Sequence, residues 1–402
     1  MLIRAALCQL TLLTALVTVV TYGQLPQAFS AKGHRDYVGS ASPHSASHHS
    51  TFLYGLTSSD VPGNSTFQYR SEILAFRLRR DGRFVAIPLK GNLSGDLGNL
   101  QFITASPNGR FLFAECKNTD ADGNYRPFFL QYRILPSGQL KPDGRYGETD
   151  TPGATHLVFH PSGRYAYLSW PDQSSSQSQP GQVVQIRVRS KGDPDFTPVA
   201  SVPCGPMPTA LALDSQGKVG GVLDAETGFL WQYTFTSQGR LQPIIPSSTP
   251  VVKQIFAPLI TGDGQFMYVA NEPNHQHYRI YQLHRNAGGG FSLLTPWAVR
   301  VPDAIYSVVM SNKHRVVYVS SGPRLMSFRI SRKGMLQPGT FSMKTVVGVN
   351  MVVDEETDCL YVLGLHNMLR AYRILDNGAL TALGKAPAHA SVRMNDLTIV
   401  HR

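Results

Sequence analysis

The chain has 402 residues, 42% apolar and 16% charged, and its 37 Lys and Arg against 26 Asp and Glu give a formal net charge of +11. That much apolar material excludes a mostly disordered or coiled-coil protein, and 36 Gly with 27 Pro but no three-residue period exclude collagen. The basic excess favours acidic partners or surfaces, yet no Lys/Arg block interleaved with aromatics occurs, so nucleic-acid binding is not expected.

Residues 1–23 read as a secretory signal, with Arg4 ahead of an apolar stretch from Ala5 to Val20 and a small residue, Gly23, at its end. The alternative is a membrane anchor, but these 16 residues, interrupted by Gln9, are short of the roughly 20 that a span needs. No second long apolar run follows, so no stable membrane insertion is expected once the signal is cleaved. The expected address is extracytoplasmic, in a periplasm or outside the cell. Cys8 would leave with the signal, and Cys116, Cys204 and Cys359 read as buried small hydrophobes with at most one bridge, its pairing open. Residues 24–50 are polar and aperiodic and read as a flexible leader in which His44, His48 and His49 form a mobile tail rather than a metal site. Asn64-Ser-Thr and Asn92-Leu-Ser match the glycosylation pattern.

From residue 51 onward one phrase recurs. Its first half is an apolar strand, a tight turn with Gly and a second strand with an aromatic residue, as in FITASPNGRFLFAEC (102–116) and APLITGDGQFMYVAN (257–271). Its second half is an alternating strand with a turn of the form G-x-L-x-P, as in PFFLQYRILPSGQLKP (127–142). Aligning the aromatic column gives Tyr54, Phe113, Tyr167, Gly221, Tyr268, Tyr318 and Tyr361, with neighbours between 43 (Tyr318 to Tyr361) and 59 (Tyr54 to Phe113) residues apart. Period-2 alternation with no amphipathic helix predicts strands throughout. A four-strand unit of about 40–50 residues repeated seven times predicts an all-β, seven-bladed β-propeller over residues 51–402. The first copy lacks its innermost strand, and the last segment, Asp396-Leu-Thr-Ile-Val-His-Arg402, has no blade of its own. The C-terminal strand is therefore expected to close the ring inside blade 1, which removes an exposed sheet edge.

With strands A to D running outward from the axis, the tight A–B and C–D turns fall on one face. The B–C loops and the starts of the A strands fall on the other, where the long polar loops predict binding of a small molecule or protein. On that face His156 is a candidate general base, with Asp224 and Glu272 on the next two blades as candidate orienting carboxylates. The competing role for His156 is structural, a hydrogen bond to a neighbouring loop. Trp170, Asn271, Ser321 and Asn350 are the candidate substrate-binding residues. Asn118, Asp120 and Asp122, followed by Gly123, have the oxygen spacing that begins a calcium loop, although position 129 is Phe where a bidentate Glu is expected and a plain hairpin explains the same letters. No other cofactor is called for, and a monomer is expected.

TGDGQFMYVANEPN (261–274) and the repeated YxI…G-x-L-x-P endings resemble the seven-bladed lactonase propellers. That family includes propeller-type 6-phosphogluconolactonases and carboxy-muconate lactonizing enzymes and is related to YVTN-repeat propellers. The resemblance implies a carboxylic-ester hydrolase with His156 at the family's His position. It also implies Arg where Thr155, Ala225 and Phe256 stand here, and Glu where Pro171 stands. Losing those Arg residues removes the cations that would hold a phosphate or steady an oxyanion. The sequence therefore points to an exported ligand- or partner-binding propeller, with a lactonase-like hydrolase as the alternative.

Overall fold

Each recurring phrase folds into a four-stranded antiparallel sheet, and seven such sheets make up this computed structural model. The structure describes residues 50–402 apart from 61–68, 90–98, 120–124, 147–155, 171–179, 190–193, 237–238, 252–254, 272–277, 345–347, 365–367 and 388–392, with the backbone alone at several strand ends. The signal, the leader, both glycosylation motifs and most of the long B–C loops lie outside the described residues. Among the described residues there is no helix, and so none long and apolar enough to cross a membrane.

The innermost strands of neighbouring blades touch all the way round, and those of blade 7 and blade 2 both touch the strand Arg393–His401. That strand pairs antiparallel with Thr51–Asp60, so the last residues of the chain do supply strand A of blade 1. Ser50 N donates to Arg402 O at 2.8 Å, Arg402 N donates to Ser50 O at 3.1 Å, and Arg402 Nη1 donates to Ile134 O of blade 2 at 2.6 Å. Leu397 and Val400 are buried in this seam. Each such side chain contributes about 1.5–3 kcal/mol of burial. The fold is a seven-bladed propeller closed by its C-terminal strand.

The core explains why single blades would not stand alone. It divides into seven apolar clusters, each drawn from two neighbouring blades, so every blade's hydrophobic face is covered only by the next. Strand B is the most enclosed, with all six residues buried in blades 4, 6 and 7. The aromatic column lies here, and in five of the seven blades its phenol latches the blade to the following one, blade 2 having Phe113 instead. Tyr54, Tyr167, Tyr268, Tyr318 and Tyr361 donate to the carbonyls of Gly138, Gly239, Gly334, Gly378 and Gly82, each in the C–D turn of the next blade. Those turns need Gly, whose φ lies between +78° and +84° in all five.

Blade 4 breaks the pattern with Gly221, where a side chain would crowd Leu230 and Met267. There Gln232 takes over, accepting from Phe291 N of blade 5. Gln185 does the same in blade 3, with its Nε2 donating to Gly239 O at 2.9 Å and its Oε1 accepting from Leu241 N at 3.3 Å. His160 is structural, as its place in the A–B turn suggests. Its Nδ1 accepts from Ser162 N at 3.1 Å, leaving Nε2 to donate to Gly217 O of blade 4 at 3.0 Å.

Candidate functional site

Strand A carries a β-bulge near its start in six blades, at Asn395, Gln101, Thr209, Ala257, Tyr306 and Val349. A bulge re-aims the side chains beside it and often marks a site. Opposite the residue two places after the aromatic column, the A strands present Asp396, Phe102, His156, Ala210, Phe256, Ser307 and Asn350, from blade 1 to blade 7. One tier around the axis thus holds His156, Phe102, Asp396 and Asn350 on four consecutive blades. The side chain of His156 lies outside the described residues.

Asp396 was missed by sequence reasoning, and it is the best-described polar group of this tier. Its Oδ2 accepts from Ile103 N at 2.9 Å, and its Oδ1 accepts from Leu397 N at 2.8 Å and Asn350 Nδ2 at 3.1 Å. Burial pushes its pKa up to about 7 although these three donors pull the other way. Desolvation opposes the charged form more strongly than neutral donors restore it. A carboxyl poised near neutrality can give or take a proton at physiological pH.

Asp396 lines a cavity of about 440 Å³ that follows the A strand of blade 2 from Phe102 to Ala105 and on to Pro107 of the A–B turn, and is walled by blades 1 and 3 on either side. Phe113, Phe129 and Phe159 supply aromatic walls, and Glu115, 1% exposed, supplies a second carboxyl group. Phe102 is 38% exposed, which opens the cavity to solvent along this strand.

The other sequence candidates are placed as follows. Asp224 is fully buried, and its oxygens are committed to backbone amides: Oδ1 accepts from Glu226 N and Thr227 N at 2.9 Å, and Oδ2 from Met207 N at 3.3 Å. It folds its own hairpin and ties down the approach to strand A. Ser321 does the same for blade 6, donating to Asp303 O at 2.7 Å and accepting from Asp303 N at 3.2 Å. Asn271 is buried at the end of strand B of blade 5, and Trp170 is half-buried against the apolar cluster of blades 2 and 3. Of the candidates with described side chains, Asn350 alone reaches Asp396. Glu272, Asp120, Asp122 and the side chain of Asn118 lie outside the described residues, and so does the calcium reading with them. Among the described residues no three His, Cys, Asp or Glu gather as a metal site. Cys116, Cys204 and Cys359 are buried and none is in a disulfide.

No protein-family model and no curated protein matches the sequence. Solved structures do. A candidate 6-phosphogluconolactonase of Bacteroides fragilis is similar over 89% of this chain and 100% of its own, with a TM-score of 0.66 and 13% identity. The periplasmic gluconolactonase of Pseudomonas aeruginosa is similar over 87% and 99%, with a TM-score of 0.63 and 17% identity. The fold is that of a lactonase-like propeller. A third similar structure, Sqt1 of Chaetomium thermophilum bound to the N-terminus of ribosomal protein L10, covers 75% of this chain and 78% of its own, with a TM-score of 0.53 and 15% identity. At these identities the likeness carries the fold, which hosts enzymes and binding proteins alike.

Proposed function

We propose that this lactonase-like propeller is an exported binding protein that holds a small ligand in the cavity between blades 1, 2 and 3. The observation that carries this reading is the cavity wall itself: aromatic rings, two carboxyl groups and no Lys or Arg among its described lining residues. An esterase oxyanion needs donors or cations aimed at developing negative charge, and acid-lined walls oppose it. The commitment of Asp224 to three backbone amides also removes one carboxylate from the catalytic set expected around His156. Residues 1–23 support export.

One observation favours the hydrolase reading. Asp396, with its pKa near 7, shares a tier with His156, the residue expected to act as base. A lactone-hydrolysis screen of wild type against His156→Ala separates the two. The binding reading expects no acceleration over buffer from either protein. Turnover by wild type that His156→Ala abolishes would establish the hydrolase instead.

A further inference from the structure

Building on the binding reading above, we infer that the cavity takes a small organic cation, an ammonium or guanidinium group carried on an apolar body. Glu115 and Asp396 bring two carboxyl groups to a wall otherwise made of Phe102, Phe113, Phe129 and Phe159 and mostly aliphatic neighbours, with no basic residue among the described lining residues. An anion entering this space meets like charge in a medium of low dielectric, where such repulsion is strong. A cation meets the reverse on both counts, since carboxylates and the negative faces of aromatic rings attract it.

The surroundings of Asp396 sharpen the argument. Its three described donors, Ile103 N, Leu397 N and Asn350 Nδ2, are all neutral. They orient the carboxyl without supplying the positive charge that would offset its desolvation. A bound ammonium supplies it, so part of the burial cost already present in the empty protein is recovered on binding. The volume of about 440 Å³ lies within the range of small-ligand pockets, roughly 300–1,000 Å³. Phe102, at the exposed edge of the cavity and one blade from Asp396, is placed to stack on the apolar body or the cation.

Calorimetric titration of the folded chain tests this, with benzyltrimethylammonium as the cationic probe and δ-gluconolactone and gluconate as neutral and anionic probes. Benzyltrimethylammonium is expected to bind. Glu115→Gln and Asp396→Asn should each weaken it by at least about tenfold, and Phe102→Ala by several-fold, as loss of a charge partner or a ring face implies. Urea midpoints of each variant show whether it is folded, and if Glu115→Gln does not fold, Asp396→Asn and the exposed Phe102→Ala decide the matter. Cation binding unchanged in those variants would place the probe elsewhere and overturn the inference. Lactone or gluconate binding that depends on Phe102, without cation binding, would overturn the ligand class while leaving the cavity as the site. Binding of none of the three would overturn the cation inference, with the broader reading still judged by the lactone screen.

Discussion

Tyr361 Oη donates to Gly82 O at 3.1 Å, joining the last blade to the first across 279 residues of chain. Tyr361 is fully buried, and burial pushes its phenol pKa up, so the hydroxyl keeps its proton and is a donor at neutral pH. Tyr361→Phe deletes this bond, together with the hydroxyl's contacts to Thr357 and Cys359, while keeping the ring. Its expected cost is about 1–2 kcal/mol, the worth of a buried hydrogen bond plus an unsatisfied carbonyl. Urea unfolding should show a lower midpoint at unchanged slope.

The acceptor side of the same latch can be tested by comparing two glycines. Gly82 has φ +80°, and a Cβ there would run into Cys359 Sγ and Leu383 Cδ1. Gly163, in the A–B turn of blade 3, has φ +67° with nothing within 4 Å of the added atom. Gly163→Ala should cost only the left-handed backbone penalty, about 1–2 kcal/mol. Gly82→Ala should cost about 1–3 kcal/mol more from overpacking the seam. Paired denaturation curves measure the difference directly.

Asp396 gives the protein a defined pH response. The unfolded carboxyl releases its proton near its ordinary value of 3.8, but the folded one does so only near 7. Between those values the folded state binds more protons than the unfolded, so stability falls as pH rises through this window and levels off above it. With about 1.4 kcal/mol per pKa unit, the loss is at most a few kcal/mol. Asp396→Asn should flatten this part of the profile. Denaturation midpoints of wild type and variant at pH 5 and pH 8 provide the check, and an equal change in both proteins would count against the assignment.

The cysteines are expected to be unreactive in the folded state. Burial pushes the thiol pKa of Cys204 and of Cys359 up, and Cys116 is as deeply buried. A thiolate is the reactive species, so a thiol reagent at pH 8 should label none of the three until the chain is unfolded. In the chain without residues 1–23, denaturant should then expose three thiols with no reductant added.

The blade count, the strands and the closing role of the C-terminus were legible because each rests on a periodic signal. Alternation identified the strands, and the aromatic column fixed the register from blade to blade. Asp396 was not picked out because the closing strand is separated by the whole chain from the phrase it completes. Counting two places past Tyr54 to Leu56 and across to its partner would have found it, because Leu56 pairs with Asp396 as Glu115 pairs with Phe102. Asp224 looked catalytic by position, but Asp224-Ala-Glu-Thr-Gly228 is turn chemistry, in which a carboxylate caps the amides two and three residues ahead. Composition cannot separate these uses of an aspartate; only its partners do.

The site described here depends on the closing strand, since that strand alone delivers Asp396 to the cavity wall. Hydrogen–deuterium exchange over residues 393–402 tests this most directly. If the strand is the innermost member of blade 1, the amides of Leu397 to Val400 exchange as slowly as those of the blade 7 strands Gly348–Asp354 and Cys359–Gly364. Exchange complete within seconds, as for an unpaired tail, would contradict it.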